Sequence, residues 1–315
     1  MKVEVNMQSQ SQKNDLLVSV IIPTFKRPIL LSRAIDSVLV QTYKSIEVVV
    51  VDDNEPDSDY RKETEALMYK YQADFRVKYL RHEKNKNGAA ARNTGIRNSN
   101  GEIVAFLDDD DFFHPDKVLD QVDFLNKNRQ FSGVYCGSFF KGREIIPYKY
   151  GDLSKELLLM NTFIFTPTIM IYKDIINDLN GFNEQFVRHQ DYEFLLRFFH
   201  KYKIGCISRC LVHIGDNDGS NEPKGDVLNE NKELFFRVFS KVIDDINSKN
   251  KGFKRRVYAK HYSFVFLSHL KNGYLKFAFD VFLKIFFYSP FYFTIYVVQR
   301  IFFYLNHKFY KISKK

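Results

Sequence analysis

Residues 104 to 111 read Val104-Ala-Phe-Leu-Asp108-Asp-Asp-Asp111, an apolar strand that runs straight into four adjacent carboxylates. Four negative charges within one short turn repel one another strongly near neutral pH. Such a run needs a cation to neutralise it. Hard carboxylate oxygens suit Mg²⁺, Mn²⁺ or Ca²⁺ rather than zinc, and Mg²⁺ or Mn²⁺ held by one or two carboxylates keeps positions open for phosphate oxygens. The pattern therefore predicts a metal that meets a phosphate-bearing donor. The competing reading is a solvated acidic turn, or acids favoured by the dipole of a helix beginning near Pro115.

Working outward, residues 18–22 form a β-branched run ended by Pro23. Residues 28–39 then repeat apolar positions at helical spacing, with Pro28 suited to a first turn. Residues 46–51 are a wholly apolar strand ending in Asp52-Asp53-Asn54, followed by an amphipathic stretch over 59–71. A strand over 77–80, a helix over 89–98, a strand over 103–107 and a helix over 116–128 continue the alternation. Continuous apolar strands separated by amphipathic helices predict an α/β fold with a parallel sheet covered on both faces. Ligands of such sheets bind beyond the carboxyl ends of the strands. Thr24, Asp52-Asp53 and the acid run all fall there. After residue 130 the pattern changes to strands over 133–140 and 166–172 and helices over 153–159 and 191–202, expected to complete the fold and form a second substrate site. Residues 213–226, rich in Gly, Asp, Asn and Ser, predict a mobile loop.

The 315 residues are 45% hydrophobic and 27% charged, a globular composition, with 32 Phe and 19 Tyr as its distinctive excess. The net charge of +9 hides an asymmetry: residues 251–315 hold 13 Lys and Arg against one acid, Asp280, whereas the first 250 hold 34 basic and 37 acidic residues. Cys136, Cys206 and Cys210 are few and show no C-x-x-C spacing, which fits a reducing compartment and argues against zinc. The polar first 17 residues predict a disordered lead-in without the apolar core of a signal peptide, and hence a cytoplasmic protein. The expected division is therefore 1–17, a main domain over 18–245, and a tail over 246–315.

Four blocks in order, Val18-Ser-Val-Ile-Ile-Pro-Thr-Phe-Lys-Arg27, Val48-Val-Val-Val-Asp-Asp-Asn54, Asn87-Gly-Ala-Ala-Ala-Arg-Asn-Thr-Gly95 and Phe106-Leu-Asp-Asp-Asp-Asp-Phe-Phe-His-Pro115, resemble family 2 glycosyltransferases of the GT-A fold. The resemblance spans roughly residues 18–220 and implies an inverting, metal-dependent enzyme that uses a nucleotide-sugar. It implies that Pro23, Thr24, Phe25 and Arg27 line the nucleotide pocket, that Asp53 accepts from a uracil ring, and that Arg92 lies near the nucleotide. Asp108 and Asp110 match the two acids of the D-x-D signature, with Asp110 the stronger candidate for direct metal contact. Asp109 stands where the family commonly has a small apolar residue; facing the ribose and merely adding charge are its two readings. His213 is a candidate third metal ligand beside Asp108 and Asp110, because some GT-A enzymes use a late histidine.

The chemistry asks for two further things. Charge left on the diphosphate needs a Lewis acid, Mn²⁺ or Mg²⁺, and the acceptor hydroxyl needs a general base on the far face. Asp191, in Arg188-His-Gln-Asp-Tyr-Glu-Phe194, resembles the family's acidic motif before an aromatic-rich helix, with Gln190 in place of its first acid. A helix N-cap is the competing role for Asp191, and Glu193 is the alternative base. His114 and His189 flank the site without a role.

The tail contains 21 of the 51 Phe and Tyr residues, and 15 uncharged residues separate Lys284 from Arg300. A spanning helix needs roughly 20 apolar residues and Pro290 interrupts this run. Basic residues interleaved with aromatics instead suit a helix lying in an anionic membrane interface; a cap packed on the main domain is the alternative. The resemblance, taken with this tail, implies a UDP-sugar donor, glucose or galactose, and a lipid-linked saccharide acceptor in surface polysaccharide assembly. Such an enzyme would sit peripherally on the inner face of the cell membrane, and nucleic acid is not an expected partner. An N-acetylhexosamine-diphospho-undecaprenol acceptor is the particular guess. The rivals are a nucleotidyltransferase, whose Gly-rich phosphate loop is missing after the first strand, and a non-catalytic membrane-binding module.

Overall fold

Strand and helix alternate through the first hundred residues: β1 (Val18–Thr24), α1 (Pro28–Leu39), β2 (Ile46–Asp52), α2 (Asp59–Met68), β3 (Val77–Arg81), α3 (Gly88–Asn98) and β4 (Ile103–Phe106). The structure is a computed structural model that describes residues 16–186, 189–215 and 225–312, with side chains to residue 302. Residues 1–15 of the lead-in expected over 1–17, and residues 216–224 of the loop expected over 213–226, lie outside the described residues.

β1 pairs in parallel with both β2 and β4, and β2 with β3. Because successive strand residues point to opposite faces, Val20, Ile22, Val48 and Val50 enter one core while Ile21, Val49, Val51 and Phe106 enter the other. A sheet buried on both faces is what the unbroken Val/Ile runs foretold. α1 covers one face through Leu31 and Ile35. α3 presses on the other so closely that a Cβ at Gly95 would come within 2.3 Å of Ile21.

The second half is mixed. β5 (Phe112–Phe113), α4 (Lys117–Lys127), β6 (Gly133–Phe140), β7 (Arg143–Ile145), α5 (Ser154–Leu158), β8 (Ile169–Tyr172), α6 (Lys173–Asp178), α7 (Gln190–Lys201) and β9 (Ile204–His213) follow. β8 enters antiparallel between β4 and β6, β9 runs parallel to β6, and β5 pairs antiparallel with β9. The main strand order is β3-β2-β1-β4-β8-β6-β9-β5.

Four helices end the chain: α8 (Asp226–Lys249), α9 (Phe253–Lys271), α10 (Leu275–Phe286) and α11 (Pro290–Ile312). The boundary expected after residue 245 falls inside α8. Phe235, Phe236, Phe239, Phe253 and Val257 share one apolar cluster with Phe106 and Phe194, and His261 Nε2 lies 2.8 Å from the Leu158 carbonyl oxygen. The first tail helices are thus built into the main core. Among the described residues no helix is long and apolar enough to cross a membrane.

Candidate active site

The carboxyl ends of β1, β2 and β4 open onto a cleft of about 510 Å³ lined by Pro23, Thr24, Phe25, Arg27, Asp53, Arg92, Asp108, Asp109 and Asp110, together with Asn85, Asn87, Gly88, Ala91 and Gln190. Every residue expected to meet the nucleotide is therefore brought to one place.

The four acids divide the work. Asp109 is buried and fastens the acid run to the end of β1: it accepts from Thr24 Oγ1 at 2.9 Å, Phe25 N at 3.2 Å and Arg27 Nη1 at 3.1 Å. Burial pushes its carboxyl up to about 6, against the pull of Arg27. Asp110 sits 2.8 Å from the same Arg27 nitrogen, and its backbone carbonyl accepts from Arg33 Nη2 at 2.6 Å. Asp108 is the more open acid and pairs with Arg92 Nη2 at 2.5 Å. Asp111 accepts the backbone N–H of Gly215 at 2.7 Å, while burial and then repulsion from Asp108 push its carboxyl well above the usual carboxylate range.

Asp53 lines the cleft but is already engaged. Its Oδ1 lies 2.7 Å from His82 Nδ1 and accepts from Lys86 N at 2.8 Å; its Oδ2 accepts from Asn85 Nδ2 and Asn87 N, each at 2.9 Å. These four contacts fill the acceptor positions of a carboxylate. Asp53 thereby holds the turn that leads into α3, and a nucleobase N–H would have to displace one of those donors. Asn87 then caps α3 by accepting from Ala89 N and Ala90 N.

Arg92 joins the two halves of the cleft, because its other terminal nitrogen donates to Gln190 Oε1 at 2.9 Å. Among the described residues its buried Nε has no hydrogen-bond partner. Gln190 opens α7, and Asp191 is the next residue. The N-cap position of α7 is held by His189 in the left-handed conformation at φ 59°, without a side-chain capping hydrogen bond, and Asp191 lies inside the first turn. The carboxylate of Asp191 accepts from Tyr192 N at 2.9 Å. Burial raises its pKa, with Arg92 acting in the opposite sense and Asp108 adding to the rise. A carboxylate moved toward neutrality is better matched to abstracting a proton than one at its ordinary value. Glu193, the alternative base, is buried in an ion pair with Arg197 at 2.7 Å.

His213, the candidate third metal ligand, ends β9 within an aromatic stack. Its ring lies between Phe112, 4.3 Å away and tilted 6°, and Phe139, 4.6 Å away and tilted 10°. Arg33 caps the stack 4.8 Å over Phe112. Among the described residues no group of three or more His, Cys, Asp or Glu side chains is arranged to hold a metal ion. A divalent cation nevertheless fits the donor chemistry. Asp108 and Asp110 offer hard oxygens to the cleft, and burial with mutual repulsion raises the pKa of Asp110. Two carboxylates would leave the remaining positions to phosphate oxygens.

Sequence reasoning missed Asn85, Asn87, Gly88 and Gln190. The pair Asn87-Gly88 before an Ala-rich helix was a readable capping signal; Gln190 stood out only as the replacement for an acid beside Asp191, and Asn85 carried no signal.

The fold and a carboxylate-edged cleft at the strand ends define a GT-A glycosyltransferase. S. aureus TarS 1-349, solved in complex with UDP-GlcNAc, has this fold: TM-score 0.57 at 17% identity, over 90% of this chain and 92% of that one. The glycosyl transferase family 2 profile matches residues 19–202, and the chain belongs to that family. An uncharacterized glycosyltransferase of Rickettsia conorii is 34% identical over 221 residues, 69% of this chain and 35% of the relative. The Escherichia coli UDP-Glc:alpha-D-GlcNAc-diphosphoundecaprenol beta-1,3-glucosyltransferase WfgD is 32% identical over 202 residues, 62% of this chain and 74% of WfgD. The amylovoran biosynthesis glycosyltransferase AmsB of Erwinia amylovora is 29% identical over 195 residues, 58% of this chain and 64% of AmsB. The chain spans between 35% and 64% of the length of the first four curated relatives it matches.

Proposed function

We propose that this protein transfers a hexose, glucose or galactose, from a UDP-sugar to a hydroxyl of a lipid-linked saccharide, with inversion, in surface polysaccharide assembly at the inner face of the cell membrane. The observation that carries the reading is Arg92, which bonds Asp108 on one side and Gln190, the neighbour of Asp191, on the other. One side chain thus ties an acid of the donor cleft to Gln190, which lines that cleft next to the candidate base; Asp191 itself is not among the lining residues.

Arg27 and Arg92 are placed to take negative charge on the donor diphosphate. Asp108 and Asp110 would hold Mn²⁺ or Mg²⁺, which when bound supplies Lewis-acid stabilisation of the departing diphosphate. Asp191 removes the acceptor proton, its raised pKa suiting that task. WfgD, by its name, moves glucose from UDP-glucose to GlcNAc-diphosphoundecaprenol, and its 32% identity supports the same substrate classes here.

The test is thermal unfolding of the purified chain with a panel of nucleotides and nucleotide-sugars, with and without Mn²⁺. A ligand at about 100 times its Kd stabilises by roughly 2.7 kcal/mol. Metal-dependent stabilisation by UDP and by one UDP-hexose is expected. A folded protein that responds to no nucleotide in the presence of Mn²⁺ would overturn the reading.

A further inference from the structure

The last two helices leave a large apolar surface uncovered. In α10, Ala278, Val281 and Ile285 are buried. Leu275, Phe279, Leu283 and Phe287 instead stand exposed at 67%, 60%, 39% and 78%. Spacing of four residues advances about 40° around a helix per step, so these four side chains form one slowly turning stripe along its length. α11 continues the exposure through Phe291, Val298, Ile301 and Phe302. Single exposed apolar residues need no explanation, but a run of large ones along two consecutive helices does.

Charge decides what covers it. The stripe lies in a segment with 13 Lys and Arg and one acid, Asp280, and Lys271 and Lys276 flank the start of α10. No described helix is apolar enough to span a bilayer. Exposed aromatics beside an excess of cations match a helix pair lying flat in a membrane surface, with rings among the acyl chains and cations at anionic headgroups.

We propose that the exposed face of α10 and α11 docks on an anionic lipid bilayer, and that it orients the cleft toward the membrane-bound acceptor. The second clause rests on the lipid-linked acceptor reading above. The stripe can orient the cleft because the intervening helices are firmly built in. Phe293 of α11 packs 5.5 Å from Phe266 of α9, His261 of α9 bonds the Leu158 carbonyl, and Phe235 of α8 rests on His189 and Tyr192 at 5.5 and 6.2 Å. Those last two residues bracket Asp191. The docking face is thereby linked by packed side chains to the first turn of the helix that presents the base.

The experiment compares sedimentation of the full chain with phosphatidylglycerol vesicles and with phosphatidylcholine vesicles. The parent protein should sediment with the former and far less with the latter. The double variant F279S/F287S changes two exposed rings; it should keep the parent's thermal unfolding and UDP response while vesicle partitioning falls roughly tenfold or more. K271E/K276E should lose the preference for the anionic lipid. Equal binding to both lipids, or undiminished partitioning of F279S/F287S, overturns the proposal. So does concentration-dependent self-association that F279S/F287S abolishes without vesicle binding, since the face would then be a contact between copies. The UDP response is read on the same samples: its absence overturns the transferase reading, whereas its presence with no vesicle binding overturns docking alone.

Discussion

In the cleft, Arg27 lies 3.1 and 2.8 Å from Asp109 and Asp110, and Arg92 lies 2.5 Å from Asp108. In α8, Lys232 is buried, yet its polar neighbour is His261 Nδ1 at 3.4 Å and its other company is the rings of Phe235 and Phe264 at 5.5 and 5.8 Å. Among the described residues it has no carboxylate partner. The cleft pairs its cations with carboxylates; around Lys232, burial without such a partner favours the neutral amine. Burial pushes Lys232 down to about 8 and His261 well below its ordinary value. Strongly shifted groups thus occur in both regions, and those of the cleft line a cavity beside partners of opposite sign. A shifted pKa marks a functional site when it coincides with such a cavity and is otherwise a property of packing.

The sharpest way to break this contrast is Asp191→Asn. If the base belongs to the cleft, turnover should fall between about 10²- and 10⁴-fold, while UDP and Mn²⁺ still stabilise the protein and its unfolding temperature holds. Loss of folding with turnover would return Asp191 to a structural role.

The contrast also shows why some parts of the molecule were legible and others not. β1, β2 and β4 were visible because a sheet buried on both faces demands unbroken Val/Ile runs, and Pro28 opens α1 where its fixed φ suits a first turn. β9 was missed entirely. Its ladder with β6 shifts register between Cys136 and Ser138, and such bulges erase the alternation that reveals a strand. β5 is two residues long and exists by pairing with β9. In the site, the acid run and Asp191 stood out because carboxylates announce their chemistry. The engagement of Asp53 by donors from His82 to Asn87 did not, since it depends on how a turn folds back. The tail was read as basic and aromatic, but composition could not say that Phe253 enters the core while Phe279 and Phe287 stay outside. Only packing separates them.

Lys232→Met sharpens the other side of the comparison. The unfolded lysine titrates near 10.4 and the folded one near 8. Below pH 8 both states carry the proton, so the native protein bears the full cost of a buried ammonium. Between about 8 and 10.4 the native state sheds its proton while the unfolded chain keeps it, and that cost declines. The methionine variant should therefore be more stable than the parent at pH 7, by on the order of 2 kcal/mol after the lost contact to His261. The advantage should fade toward pH 10. Urea midpoints at the two pH values check it, and a variant less stable at pH 7 would mean that Lys232 has a stabilising partner.

The smallest expected effect tests the cleft at its edge. His213 was a candidate metal ligand, and the structure stacks it between Phe112 and Phe139 within a column that Arg33 closes. That column pins β5 to β9, and β9 delivers Gly215 to Asp111. His213→Phe keeps a flat ring in the stack and removes both nitrogens. An aromatic pair contributes about 0.5–1.5 kcal/mol, and replacing one stacked ring by another should change stability by less than about 1 kcal/mol. The Mn²⁺-dependent response to UDP should survive unchanged. If the response disappears while the protein stays folded, the imidazole reaches the metal in the loaded enzyme and the stack is a resting arrangement. If it persists, the ring acts through the backbone it anchors, and the metal is left to Asp108, Asp110 and the phosphates of the donor.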